Sequence, residues 1–428
     1  MAEDVVDLCA ALLRIDTTNH GRGESAGERE AAEFVAAHLE AAGVPATLLE
    51  PAPRRTNVLA RVPGTEPDLP AVLVQAHLDV VPADPAEWSV PPFGGIERDG
   101  YLWGRGAVDM KDMVAMVLSV VGTWAREGRA PRRDVVLAFV ADEEDTGAYG
   151  AHWLVDHHAG HFAGCAAAIS ESGGFSHRTF DKRIYPIGTA ERGTSHLRLT
   201  ATGRAGHGSR RNEDNAVLKL VNALGRLAAL RHPVRLTPAV RAFIEQVGAA
   251  LGVPVDLDDV DATIARFGPA AKLVENTVRN STTPTVLDAG YKVNVIPGSA
   301  SAEIDVRTLP GTVDELLAAV DDALGPDVRR EFLQHQPPVQ APIDSPWFDA
   351  MADALRAEDP EAVVVPYCLG GGTDAKAFSR LGIDCYGFAP LHLPEGFDYR
   401  SLTHGVDERV PVEGLRFGAR VLDRFLSS

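Results

Sequence analysis

Residues 71–82 read AVLVQAHLDVVP. The run opens largely apolar and without polar alternation, which describes a strand buried on both faces, as in a parallel sheet covered by helices. His77 and Asp79 follow it directly. The C-terminal ends of strands in open α/β sheets are where ligands bind. A carboxylate two residues from an imidazole can fix its tautomer, a common arrangement beside a ligating histidine. Working outward, short β-type runs fall at 57–62, 134–140 and 165–169. Helical spacing appears in Val5, Leu8, Cys9, Leu12 and Leu13, in Ala31, Phe34, Val35 and Leu39, and in Val114, Val117, Leu118 and Val121. Alternating strands and helices predict an α/β chain built on a mixed, mostly parallel sheet with helices on both faces.

Near Ala190 the texture changes. Residues 194–202 alternate as a half-exposed strand, and 215–230 carry Val217, Leu220, Val221, Leu224 and Leu227 on one helical face. A strand pair is expected at 279–288 and 300–308, a helix at 313–324 and a strand at 328–334. The order β-α-β-β-α-β is that of a split-βαβ, ferredoxin-like α+β unit. Pro337, Pro338, Pro342 and Pro346 then mark a linker. Helix and strand patterns resume at 347–356, 362–365, 374–381 and 384–388, with a closing helix from Val412. The expected organisation is one domain from residues 1–189 and 337–428, and an inserted domain at 190–336 that carries an extra helical stretch at 231–272.

A chain of 428 residues is too long for one ordinary core, in keeping with two domains. Its net charge of −19 repels nucleic acid and anionic lipid, and no block of Lys and Arg reverses it locally. No apolar run approaches a membrane-spanning length. The opening MAEDVVDLCAALLRID is acidic and helically spaced, unlike a signal peptide. Four cysteines without a CxxC pair fit buried thiols in a reducing compartment. A cytoplasmic protein acting on small molecules, with no nucleic-acid or membrane partner, is the expectation. The absence of a GxSxG elbow argues against the common serine-hydrolase type.

The acids carry the chemistry. Asp109 lies in GRGAVDMK (104–111), where a helix begins; glycines allow close backbone approach, and the helix dipole favours a carboxylate there. Gly104-x-Gly106 lacks the third glycine of a dinucleotide fingerprint. Asp142, Glu143, Glu144 and Asp145 follow an apolar strand, and four adjacent acids repel unless cations neutralise them. Glu171 ends another strand, and His404 precedes the last helix. Singly, these residues also read as an N-cap, an acidic turn or a solvated loop histidine. Jointly, a mixed N/O donor set on strand ends, without Cys, suits catalytic zinc, or cobalt or manganese. Two such ions ~3.5–4 Å apart need a bridging carboxylate.

HLDVVP, GRGAVDMK, DEE after a strand, ESGG, GRAGHGS, NVIP and GGTDA occur in order across nearly the whole chain. Together they resemble the di-zinc family of the aminoacylases, carboxypeptidase G and succinyl-diaminopimelate desuccinylase. The resemblance implies a zinc-exopeptidase-like catalytic domain, an inserted lid and a homodimer through that lid. It implies two zinc ions, one held by His77 and Glu171 and the other by Glu144 and His404, with Asp109 between them. Asp79 would orient His77. Glu143 would be the general base that takes a proton from water and passes it to the leaving amine. His207, in GHGS, would stabilise the oxyanion, often from the partner subunit. Asn294 and Arg307 would bind the substrate carboxylate. Alternation places Arg307 on the open face of its strand, opposite Ala302, Ile304 and Val306. Gly372 and Thr373 stand in a glycine-rich turn into a helix, where free N–H groups can also bind a carboxylate.

The implied reaction is hydrolysis of an amide or peptide bond in an N-acyl amino acid or short peptide with a free carboxylate. Aminoacylase, dipeptidase and carboxypeptidase readings stay open. The alternative is a non-catalytic metal- or ligand-binding member of the fold, which would be expected to lack a ligand or the base. Two departures stand out: Arg192 occupies a position expected to be lysine, and Met110-Lys111-Asp112-Met113 replaces a Lys-Gly-Gly run, so that Asp112 adds an acid one helical turn from Asp109.

Overall fold

The strand Ala71–His77 is buried at every position and lies inside a ten-stranded sheet. In the computed structural model, which describes residues 4–428, its neighbours Val135–Val140 and Cys165–Ser170 both run parallel to it. The opening residues 1–3, part of the N-terminal expectation above, lie outside the described residues. Asp384–Gly387 continues the parallel series beside Cys165–Ser170, and Lys182–Glu191 pairs parallel with Ala362–Leu369. One flank is antiparallel: Val135–Val140 pairs with Arg55–Val62, which pairs with Ala46–Ala52. The sheet is therefore mixed, with parallel strands at its centre.

Both faces are covered. Val72, Val74 and Ala76 join the core with Val5–Leu13, Lys111–Glu127 and Val412–Leu426. Ala71 and Leu73 point the other way, into a core with Leu154, Phe162 and Phe378. This two-sided burial is why the strand shows no polar alternation. Gly128, at φ 63°, closes Lys111–Glu127 in the left-handed conformation that glycine adopts without a Cβ clash.

Lys182–Glu191 was not legible as a strand. Pro186 removes a ladder donor, and Gly188 passes so close to Gly387 that an added Cβ would come within 2.9 Å of its backbone. Both residues argue against a central strand from sequence alone, yet tertiary contact holds them in one.

The second sheet has the order Ser281–Ala289, Ser299–Thr308, Gly193–Thr202, Val328–Gln336, all antiparallel. Helices Ala216–Ala229 and Val313–Leu324 cover one face, packing Leu220, Leu227, Leu316 and Val320 on Leu197, Leu199, Ile304 and Val306. This is the split-βαβ arrangement. Asn215 caps the first of these helices, its side chain accepting the amides of Val217 and Leu218.

The helix Pro238–Leu251 lies within the 190–336 span, but its apolar face is buried elsewhere. Val240, Phe243, Ile244 and Val247 join the core of the large sheet, beside Ile187, Val365 and Tyr367. Each such side chain gains ~1.5–3 kcal/mol on burial, and that amphipathic face draws the segment onto the large sheet.

Candidate metal centre

His77, Asp109, Glu143, Glu144, Glu171 and His404 come together at one end of the parallel strands. His77 is the last residue of Ala71–His77, Glu171 directly follows Cys165–Ser170, and Glu143 and Glu144 lie just beyond Val135–Val140. Asp109 immediately precedes the first turn of Lys111–Glu127, and His404 follows the short helix Tyr399–Leu402. Asp142 adopts a left-handed backbone, φ 68°, and turns the chain so that the two glutamates face the cluster. Aspartate tolerates that conformation better than most residues.

Asp109 is central. Its Oδ1 lies 3.0 Å from His77 Nε2 and its Oδ2 lies 3.1 Å from His404 Nε2. His404 Nε2 is also 3.0 Å from Glu144 Oε2. One carboxylate thus presents an oxygen to each of two imidazoles, the disposition needed to bridge two ions. Ligand atoms of His77, Asp109 and Glu144 lie within 4.8 Å of one another, and so do those of His77, Glu143 and Glu171. Glu143 therefore stands close enough to be a base beside the metals or a ligand of one.

The electrostatics demand cations. Burial pushes the Glu143 and Glu171 carboxyls far above the usual range, and negative neighbours push them further: Glu171 acts on Glu143, and Asp109 on Glu171. Glu144 is raised, first by burial, and its Oε1 is buried without a partner. Hydrogen bonds to Asp109 and then Glu144 hold the His404 imidazolium up to about 10. Burial opposes the charge on Asp109, but the bonds from His404 and His77 hold its carboxyl well below its ordinary value. Two imidazoles cannot balance the four buried or part-buried carboxylates of Asp109, Glu143, Glu144 and Glu171. An N/O donor set, an orphaned carboxylate oxygen and this excess of negative charge fit divalent ions.

Asp79 does more than face His77. His77 Nδ1 lies 2.9 Å from the Asp79 carbonyl, while the Asp79 carboxylate accepts the amides of Glu143 and Glu144, each at 3.1 Å, and Asn19 Nδ2 at 2.9 Å. It positions the histidine and both glutamates together. Asp79→Asn keeps the shape but exchanges an acceptor for a donor; loss of such a supporting partner is expected to weaken metal binding ~10–100-fold. Titration of chelator-stripped protein with zinc or cobalt measures this, and unchanged affinity would limit Asp79 to a structural role.

Several supporting residues carried no local signal. Arg55 joins Asp142 (2.8 Å) and Glu28 (2.9 Å) in a buried network beneath the glutamates. Arg105 bonds Glu408 at 2.6 Å, and Glu408 also accepts the Val108 amide at 2.8 Å, which ties the His404 loop to the Asp109 loop. Asp374 is buried beside the cluster, accepts Gln75 Nε2 at 2.8 Å and is pushed up to about 8, chiefly by burial.

The remaining expected site residues divide. Arg307, Gly372 and Thr373 line a cleft of ≈ 220 Å³ together with Glu143, Glu144 and His404. Thr373 is already engaged, its amide and hydroxyl both donating to Glu191. His207 and Asn294 do not line that cleft. They lie together on a two-residue ladder, Gly206–His207 against Val295–Ile296, where the Gly208 amide donates to the Asn294 carbonyl at 2.9 Å and His207 Nδ1 meets Ser209 Oγ at 2.8 Å.

Residues 73–428 match the family described as peptidase family M20/M25/M40. The chain belongs to that family. As an M20 chain it is 30% identical over 375 residues to the human (Homo sapiens) N-fatty-acyl-amino acid synthase/hydrolase, covering 83% of this chain and 73% of that protein. It is 28% identical to aminoacylase-1 of Sus scrofa, covering 93% of this chain and 89% of the other. Its fold matches the M20 family metallo-carboxypeptidase of Sulfolobus solfataricus with a TM-score of 0.73 at 18% identity, over 99% of this chain and 98% of that one. This M20 chain is a metal-dependent amidohydrolase or exopeptidase whose cluster serves two divalent ions. The non-catalytic alternative is not favoured, since every expected ligand and Glu143 are present at the cluster.

Proposed function

We propose that this chain hydrolyses the amide bond of an N-acyl amino acid or short peptide that ends in a free carboxylate. The observation that carries this is a shared cleft: Arg307 lines the same ≈ 220 Å³ space as Glu143 and His404, beside a Gly372–Thr373 turn whose Thr373 amide and hydroxyl are taken up by Glu191. His77, Asp109, Glu144, Glu171 and His404 would hold two divalent ions, zinc first, with cobalt or manganese as alternatives. Bound there, the ions would polarise the scissile carbonyl and lower the pKa of water toward ~7. Glu143 takes the proton from the attacking water and delivers it to the leaving amine nitrogen. Its position within reach of His77 and Glu171 puts it beside the space that a metal-activated water would occupy.

The substrate carboxylate pairs with Arg307. That guanidinium is held on the open face of its strand by Asp305, at 2.7 and 3.0 Å, and by Thr194 Oγ1 at 2.8 Å. The acyl arm has its own space. A separate cleft of ≈ 800 Å³, in which Phe175, Leu393, Phe397 and Tyr399 stand among charged residues such as Arg178, Lys272 and Arg400, could receive it. Tyr399 joins the two regions: its ring stacks on Phe175 at 4.5 Å and its hydroxyl donates to the Val108 carbonyl, next to Asp109, at 3.2 Å.

His207 and Asn294 complete the site from a second copy. Ser281–Ala289 is an edge strand of the small sheet, and Val286, Leu287, Tyr291 and Val293 are exposed on and beside it, as are Leu218 and Val221 on the adjoining helix. A long edge with apolar side chains in water is an invitation to pair, and a homodimer through the small sheet covers it. The small sheet with its two helices is the lid, and the segment around Pro238–Leu251 travels with the large sheet on which it packs. No described helix is long and apolar enough to cross a membrane, and the four cysteines are free, which supports a reducing, cytoplasmic setting.

The test uses N-acetyl and longer N-acyl amino acids, dipeptides and the matching carboxamides, with chelator-stripped protein reloaded with each metal. Arg307→Ala is expected to lower kcat/KM for carboxylate substrates ~10–100-fold, the worth of a charged hydrogen bond, and to leave the carboxamides little changed. Equal losses for both would remove Arg307 from carboxylate recognition. Metal-independent turnover would overturn the mechanism.

A further inference from the structure

Arg192 is the single residue between Lys182–Glu191 of the large sheet and Gly193–Thr202 of the small one. The two charged side chains at this junction bond to opposite partners. Glu191 accepts the Thr373 amide (3.0 Å), the Thr373 hydroxyl (2.5 Å) and Lys376 Nζ (3.2 Å). Lys376 Nζ also donates to the Arg192 carbonyl at 3.1 Å. Arg192 donates through Nη1 to the Asn276 carbonyl (2.9 Å), and through Nη2 to Ser281 Oγ (2.5 Å) and the Arg307 carbonyl (3.3 Å). Glu191, Arg192 and Lys376 are all buried or nearly so.

One end of this dipeptide thus grips the loop that carries Gly372 and Thr373. The other grips the backbone of Arg307 and the start of the neighbouring lid strand. Those two groups form parts of the same cleft. Simple adhesion between the two sheets could be apolar, whereas Arg192 buries a guanidinium that meets two carbonyls and a hydroxyl and leaves its Nε without a partner, a costly arrangement for adhesion alone. A planar guanidinium whose donors reach three separate segments fixes their relative positions, because its fork is rigid.

We propose that Glu191 and Arg192 are positioning residues that set the separation between Arg307 and the Gly372–Thr373 loop, and so determine how tightly the substrate's free carboxylate is held. This rests on the reading of Arg307 as the carboxylate's partner.

The test compares N-acetyl-L-methionine with its carboxamide on the metal-loaded full chain, for wild type, Arg192→Met, Arg192→Lys, Ser281→Ala, Arg307→Gln and the Arg192→Met/Arg307→Gln pair. Arg192→Met is expected to raise KM for the carboxylate substrate ~10-fold or more with kcat within ~3-fold, and Arg192→Lys to recover part of the loss. Added to Arg307→Gln, the Arg192→Met change is expected to cost less than ~2-fold further, because the two act through one contact. Ser281→Ala, which removes one hydroxyl partner, should show a smaller rise with the same dependence on Arg307; it carries the comparison if Arg192→Met does not fold. An undiminished Arg192→Met or Ser281→Ala effect in the Arg307→Gln background, equal effects on the carboxamide, or a fall in kcat at constant KM would overturn the proposal. If wild type cuts N-acetyl-L-methionine poorly, the best carboxylate substrate of the panel above and its carboxamide take its place; wild-type protein that cuts none of that panel would remove the functional reading and this inference with it. Turnover by wild type with Arg307→Gln unaffected would remove the Arg307 role on which the inference stands.

Discussion

Glu143→Gln is expected to lower kcat by ~10²–10⁴-fold, the worth of a positioned general base, while two metal ions remain bound. Glutamine keeps the side-chain shape and cannot take a proton from water. Its backbone would stay in place, because the Glu143 amide is held by Asp79 Oδ1 and not by its own side chain. The side chain sits among His77 and Glu171, so two other outcomes are informative. Retained turnover would exclude Glu143 as the base. Loss of one metal together with turnover would make Glu143 a ligand, as its distance from those two residues permits. Metal content by elemental analysis and single-turnover kinetics on the same preparation separate the three.

The second large effect is a gain. His207→Ala and Glu143→Ala should each be nearly inactive alone, yet a mixture of the two, dissociated and allowed to reassociate, should recover activity. A site composed of Glu143 from one copy and His207 from its partner is intact once in each mixed dimer. Half of randomly formed dimers are mixed and each has one working site of two, so about a quarter of wild-type activity is expected for a two-fold dimer. The separation of His207 from the cleft that holds Glu143, Glu144 and His404 within one chain motivates this. Recovery near zero would place the histidine's action within one chain, reached by closure of the lid. A fully active monomer by sedimentation would contradict the arrangement in trans.

The clustering of the candidate ligands was legible because most of them obey a local rule. His77 and Glu171 stand at or next to the last residue of apolar strands, Glu144 a short turn beyond another and Asp109 just before a helix; strand ends and helix starts can be read from a few neighbouring residues. Arg307 was legible for the same reason: period-2 burial in Ser299–Thr308 leaves it on the open face. The support beneath the site obeys no local rule. Asp79 holds amides 64 and 65 residues away, Arg55 reaches 87 residues to Asp142, and Glu191 reaches 182 residues to Thr373. No spacing in the chain announces such pairs.

What the sequence determined by itself is therefore the set of elements and the donor chemistry: apolar runs that must be buried on two faces, alternating runs buried on one, and acids gathered where only cations make them tolerable. The tertiary structure decided which distant groups meet. It made Lys182–Glu191 a strand despite Pro186 and Gly188, and drew the amphipathic helix Pro238–Leu251 onto the large sheet. It set Glu191 and Arg192 between the two walls of the cleft, and left His207 and Asn294 outside it. The physical reason is one of range. Backbone conformation and amphipathic patterning act over a few residues and are written locally, whereas the pairing of buried charges depends on which surfaces the folded chain brings within hydrogen-bonding distance.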